Sequence, residues 1–411
     1  LLDIHPLVEE VLSSFFNPDE TNEFKSRYLF EYPEELKGES SVDNITGTHL
    51  NFKLTDGLKT RSQIDLLITF SELKLQSDKI VELLIFLGQS TITSGEFTAS
   101  IDIHNKIISL TQDSPKMINI TASAYLSIGE IYSRQAQWEL SFIYLDKAIK
   151  LFENENNLKG NANCENLIGT MHGDMGNLEK AILHFENALA ALEGAPDNAL
   201  AGKIEINLGI INNMIGNYDE ALSYLKRALV KFEKIKDLKR VGEIRQNLGM
   251  VHTKKKDFSA AVKDYDISIE VSIQSGYLQN IGISFLSKAY VYSQTGDFQL
   301  AEAFVEKAME ISYKINDKLT MAEVYKIKGI INRNKNNFIE SENYLMTSLR
   351  LNRELNNKLN HAETSFELGL MYKQTGRTEL SKQYFNSSLE YYKKINAKDE
   401  IKSIEELLKG F

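Results

Sequence analysis

Small and large apolar residues return along this chain at a fixed interval. Gly129, Gly169, Gly209, Gly249, Ala289, Gly329 and Gly369 each stand 40 residues after the one before (169 − 129 = 40). Counted from each marker, the residue two on is apolar (Ile131, Met171, Ile211, Val251, Val291, Ile331, Met371) and the residue twelve on is small (Ser141, Ala181, Ala221, Ala261, Ala301, Ser341, Ser381). Sixteen on stands a large apolar residue (Leu145, Phe185, Leu225, Tyr265, Val305, Leu345, Phe385), and nineteen on a small one again (Ala148, Ala188, Ala228, Ser268, Ala308, Ser348, Ser388). Small positions on both sides of a large one let two helices approach closely while the large side chain fills the remaining space. The pattern predicts a row of helical hairpins that stack into one continuous core.

The turn inside each hairpin is also visible. Gly176, Gly216, Gly296, Gly376 and Asn336 stand seven residues after their markers, where a left-handed residue ends the first helix. Trp138, Tyr218, Phe258, Phe298 and Phe338 then open the second helix, with Leu178 and Thr378 as exceptions. Upstream, Gly88, Gly95, Phe97 and Ser100 repeat the marker, turn, aromatic and small positions. They predict one degenerate hairpin over about 78–113, as terminal repeats are commonly atypical.

The two ends depart from this rhythm. Ile4, Leu7, Val8, Val11, Leu12, Phe15 and Phe16 lie on one face of a predicted amphipathic helix over 4–16. Leu50, Phe52 and Leu54 alternate as in a short strand, and Ile64, Leu66, Leu67, Phe70 and Leu73 suit a separate helix over 60–75. The expected domains are an N-terminal region over 1–57, the hairpin array over 58–397, and a capping helix over 398–411 carrying Ile401, Ile404, Leu407 and Leu408. Three roles fit the N-terminal region: a cap for the first hairpin, a segment that folds residues 4–16 back onto the array, or a docking element for another domain or subunit.

The run Asn207-Leu208-Gly209, Gly216-Asn217-Tyr218, Ala221 and Ala228 resembles the tetratricopeptide repeat. The period of 40 exceeds the family's usual ~34, and the closing proline is missing. The extra residues fall late in the second helix and its loop, as at Lys236-Asp237, Asn316-Asp317 and Asn356-Asn357. Long repeats of this kind are similar to those of kinesin light chain, the Pins-type adaptors and the Rap-type regulators. The resemblance implies an all-α fold, a right-handed superhelical solenoid whose concave face binds peptides or proteins.

Composition narrows the chemistry. A net charge of −10 and a pI near 5.4 disfavour nucleic acid, whose phosphates call for a basic stripe. No stretch is apolar for long enough to insert in a membrane. The single cysteine, Cys164, has no partner for an intramolecular disulfide. No phosphate loop, paired metal-spaced histidines or dinucleotide turn is present, so neither a cofactor nor a metal is expected and the array is expected to be noncatalytic. His172 and His252 take the place held by Tyr132, Tyr292 and Tyr372 in other repeats and are expected to pack. The chain begins at Leu1 without methionine, which leaves room for a removed leader or a fused domain; the expected compartment is the cytoplasm.

In a stack of this kind the first helices line the inner side, so equivalent positions form rows. Asn207 and Asn247 lie two residues before their markers, with Asn163, Asn166, Asn213 and Gln246 nearby. Side-chain amides offer both a donor and an acceptor to the backbone of an extended peptide. By the resemblance, Asn207 and Asn247 are the peptide-contacting asparagines; Ser127, Leu167, Ser287, Ile327 and Glu367 replace them in the other repeats. Glu130, Arg134, Lys203, Glu243, Lys254, Glu323, Lys326, Arg333 and Lys373 are expected to face inward as well and to supply specificity. The expected function is a protein-interaction scaffold with a protein or peptide ligand; the alternative is a ligand-responsive module controlling a fused or partner effector.

Overall fold

The computed structural model describes residues 77–411, which form seventeen α-helices and, among the described residues, no strand. The helices expected over 4–16 and 60–75, the strand near 50–54 and any contact of 4–16 with the array lie outside the described residues. Two compact units make up the chain, one ending at Gly160 and the other beginning at Asn161.

In the first unit, α1 (Ser77–Ser94) and α2 (Phe97–Thr111) form the degenerate hairpin, and α3 (Ile118–Arg134) and α4 (Trp138–Asn154) form a regular one. Ser141 Oγ donates to the Gly129 carbonyl at 2.7 Å, and Ser100 Oγ donates to the Gly88 carbonyl at 3.0 Å. The small residue twelve positions after the marker therefore ties one helix to the other by a hydrogen bond wherever it is serine. In the degenerate hairpin the large apolar position is taken by His104. It lies buried against Gly88, with Nδ1 donating to the Ser100 carbonyl at 2.7 Å. Burial pushes its pKa below the ordinary histidine value, favouring a neutral packing residue.

The second unit holds α5 (Leu158–Asp174, from Asn161 on), α6 (Leu178–Glu193), α7 (Asn198–Met214), α8 (Tyr218–Lys234), α9 (Leu238–Lys254), α10 (Phe258–Gln274), α11 (Leu278–Thr295), α12 (Phe298–Lys314), α13 (Lys318–Asn334), α14 (Phe338–Glu354), α15 (Lys358–Gln374), α16 (Thr378–Lys394) and α17 (Lys398–Lys409). The marker glycines are where the two helices of a hairpin meet. A Cβ on Gly209 would stand 2.6 Å from Leu225 Cγ, and one on Gly369 2.6 Å from Phe385 Cδ1. Where the marker is Ala289, its partner sixteen on is Val305, the smallest side chain in that series.

Local signals end each helix as the pattern implies. Gly176, Gly216, Gly296 and Gly376 have φ between 70 and 86°, and Asn336 has φ 62°. Ala136 and Lys256 adopt the same left-handed conformation at φ 55 and 61°, so the turn geometry persists without its favoured residues. In the loops between hairpins, Asp197, Asp237, Asp317 and Asn357 cap the next helix by accepting from backbone N–H groups two to three residues on.

First helices of neighbouring hairpins pack on one another, α7 on α9, α9 on α11, α11 on α13 and α13 on α15, besides packing on their own second helices. The first helices thus lie on the inner side of the curve within this unit. α17 packs on α16. It also reaches much further: one buried core holds Leu178, Leu208 and Ile211 from the start of the unit together with Phe385, Tyr392 and Ile404 from its end.

Candidate functional site

Side chains on the inner helices follow a stripe at six, three or two residues before the marker and one, four or five after it, a helical spacing that keeps them on one face. On α5 and α7 this stripe carries amides. Asn207 Nδ2 donates to Asn166 Oδ1 at 3.1 Å, joining two successive inner helices across 41 residues of sequence. Asn163 is half-buried on the same face of α5, and Lys203 is exposed one turn before Asn207. Asn213 has a buried Oδ1 with no hydrogen-bond partner. On α9, Gln246 is buried, and Asn247 turns back to its own helix, with Nδ2 donating to the Glu243 carbonyl at 3.0 Å. The ladder therefore joins Asn166 to Asn207 and leaves Asn247 outside it. In the first unit, Arg134 is exposed and pairs with Glu130 of its own helix at 2.7 Å.

On α9, α13 and α15 the stripe is charged, and most of the charges engage one another. Lys326, only 6% exposed, sits between Glu323 of its own helix at 2.8 Å and Glu363 of α15. Arg333, 8% exposed, bonds Glu367 at 2.8 Å while its Nε has no partner. Lys254 pairs at 2.8 Å with Glu400, a residue of α17. Burial opposes the Lys326 charge, but the carboxylates of Glu323 and Glu363 more than reverse it and hold the ammonium above the ordinary lysine range. Of the two acids, Glu323 is pushed up by burial, whereas Glu363 ends below the usual carboxylate value, burial being outweighed by Lys326. Burial likewise raises Glu367, although Arg333 pulls the other way.

These pairings set what the face can do. A buried cation that already holds two carboxylates is a poor free anchor for a third. The Asn166–Asn207 amide pair on α5 and α7 is not drawn into these charge pairs, and the Nε of Arg333 is buried without a partner. Sequence spacing showed the rows but not the pairs. Lys326 and Glu363 lie 37 residues apart (363 − 326 = 37), one repeat less one helical turn, and that diagonal was the signal available. No periodic signal connects Lys254 to Glu400.

Other singled-out residues are structural. His172 stacks on His184 at 5.2 Å between centroids, and His184 Nδ1 bonds Glu165 at 2.8 Å. Burial and then the neighbouring His184 keep His172 below its ordinary pKa. Cys164 is buried, and burial pushes its thiol up to about 12. Glu205 is fully buried and binds Arg227 and Lys231 at 2.8 and 2.6 Å, a triad of first and second helix that sequence reading missed. An open cleft of about 420 Å³ lies between α14, α15 and α16, lined by Asn352, His361, Tyr391 and their neighbours. Among the described residues, no group of three or more His, Cys, Asp or Glu could hold a metal, and no helix is long and apolar enough to cross a membrane.

Family profiles of the tetratricopeptide repeat match residues 120–194, 161–234, 284–314 and 362–395. No curated protein is significantly similar to this sequence. Among solved structures, aspartyl phosphate phosphatase F from Bacillus subtilis is similar with a TM-score of 0.60 at 11% identity, over 88% of this chain and 98% of that one. A Rap protein complexed with competence and sporulation factor aligns with a TM-score of 0.55 at 12% identity, over 80% of this chain and 96% of that one. The apo form of the quorum sensor NprR from B. thuringiensis aligns with a TM-score of 0.51 at 16% identity, over 94% and 97%. At these identities the likeness is one of fold.

Proposed function

Since this is a tetratricopeptide repeat protein, we propose that its inner helices bind an extended peptide, or a peptide-like segment of a partner protein, without catalysis. The observation that carries this reading is the amide pair Asn166–Asn207, which links neighbouring inner helices at 3.1 Å. One amide bonded to the next keeps a donor and an acceptor free for a strand running along the row, a match to the alternating groups of a peptide backbone.

A ligand-responsive regulator is the second reading. It is favoured by the bridge that α17 makes between distant hairpins, an element whose position a ligand on this face would affect. The similar quorum sensor and the similar Rap protein carrying competence and sporulation factor are in keeping with it.

The test is selection of short linear peptides from a random display library with the wild-type protein, followed by titration of the best binder against Asn166→Ala/Asn207→Ala. Loss of the two amides is expected to weaken binding by about 30-fold, at ~1 kcal/mol for each hydrogen bond. Unchanged affinity removes the amide row from the account.

A further inference from the structure

Four residues, Ile395, Asn396, Asp399 and Glu400, fasten the end of the array to hairpins that lie between 146 and 219 residues earlier (400 − 254 = 146; 395 − 176 = 219). Asn396 Nδ2 donates to Glu179 Oε1 at 2.6 Å. Ile395 covers the turn at Gly176, where an added Cβ would stand 2.8 Å from its Cγ2. Asp399 covers the next turn in the same way: a Cβ on Gly216 would meet its Oδ2 at 2.8 Å, and the Tyr218 hydroxyl donates to that oxygen at 3.3 Å. Glu400 then bonds Lys254, the last residue of α9. The equivalent turn glycines Gly296 and Gly376 have open space around them, so Gly176 and Gly216 are set apart as seats for this segment.

Behind the polar contacts, α17 turns an apolar side inward. Ile404 is 1% exposed, and Ile401, Leu407 and Leu408 join the core that also contains Met214, Ile215, Phe366 and Leu370. Met214, Phe366 and Leu370 belong to the inner stripe of α7 and α15. The helix thus lies across the inner face at the end where the first helices terminate, between the amide pair on α5 and α7 and the charged rows on α13 and α15. Its polar fastenings are at the rim: the Lys254 side chain is 46% exposed. Rim ion pairs of this kind are weak and salt-screened.

We propose that α17 is a releasable clasp over the inner face, and that a ligand binds in competition with its N-terminal turn. The proposal rests on the inner-face binding reading above. A chain laid on the amide row whose end continues towards the C-terminal ends of α7 and α9 meets Gly216, Tyr218 and Lys254, the positions that Asp399 and Glu400 hold. Because Asp399 and Glu400 are held by polar contacts while Ile395, Ala397 and Ile404 are buried on either side of them, release is confined to the turn at Asp399 and Glu400 and leaves the packing of α17 on α16 in place.

The clasp is tested with Glu400→Lys/Tyr218→Phe in the full chain, which sets two lysines against each other and removes the hydroxyl. Amide exchange of residues 398–403 is expected to speed up at least tenfold, with α16 unchanged, and the library-selected peptide is expected to bind at least threefold tighter. Adding Lys254→Glu to Glu400→Lys should restore both values by reversing the pair. Unchanged exchange in the first variant overturns the clasp. Faster exchange with unchanged peptide affinity overturns its role as a competitor while leaving the site reading intact. Peptide binding that ignores Asn166→Ala/Asn207→Ala overturns the site reading and the competition together.

Discussion

Replacing Gly209 by alanine tests the packing rule from which the whole array is built. The new Cβ would lie 2.6 Å from Leu225 Cγ, 2.8 Å from Leu225 Cδ2 and 3.4 Å from the Ala221 carbonyl oxygen. Leu225 is fully buried and has no room to retreat. Overpacking of this kind costs ~2–3 kcal/mol, while alanine recovers ~1 kcal/mol of helix propensity over glycine. The net expectation is a loss of about 1–2 kcal/mol. Leu225→Val alone removes one buried methylene and should cost ~1 kcal/mol. Together the two substitutions recreate the pairing that the chain itself uses at Ala289 and Val305, both fully buried. The double variant should therefore lie within ~0.5 kcal/mol of wild type, a coupling of about 2 kcal/mol between the two positions. Urea unfolding followed by circular dichroism reads the stabilities. Long arrays can unfold in parts, so amide exchange in α7 and α8 confirms that the change is local. Two penalties that simply add, or a Gly209→Ala protein as stable as wild type, would refute the view that marker and filler were matched by volume.

Two further predictions concern buried chemistry. Lys326→Met leaves Glu323 and Glu363 without the cation that lies between them; at pH 7 this should cost ~3 kcal/mol. Glu323 is already raised by burial, so folding of the variant takes up a proton, and its deficit should shrink as pH falls from 7 towards 4.5; urea midpoints at the two pH values check the sign. For Cys164, whose buried thiol is pushed up to about 12, a thiol reagent at pH 8 should give no reaction on the folded protein and one equivalent after unfolding in urea. Rapid labelling of the folded chain would place the thiol nearer the surface than the core packing allows.

The division between what could be read and what could not follows the range of the interactions. Contacts that recur every 40 residues were legible because each hairpin meets the next in the same way, so marker, filler, turn and cap return in register. The Gly209–Leu225 contact, the left-handed turn at Gly216 and the opening of α8 at Tyr218 all stand where the spacing put them. Even the degenerate hairpin kept its marker and small position, at Gly88 and Ser100. The inner face was legible as rows for the same reason. Its pairings were not. Whether an asparagine bonds its neighbour, as Asn207 does, or its own backbone, as Asn247 does, depends on the offset and angle between adjacent helices. Curvature decided the rest: summed over many hairpins, a small rotation at each step brings Glu400 beside Lys254 and Asp399 onto Gly216. No local signal encodes that meeting, because it depends on the accumulated geometry of every repeat between them. The amino-acid sequence determined by itself the hairpin, its period and the rows of equivalent positions, since these arise from side-chain volume and helical spacing. Only the tertiary structure decided which inward charges neutralise one another and that α17 closes over the face, since both depend on where the curve of the array returns.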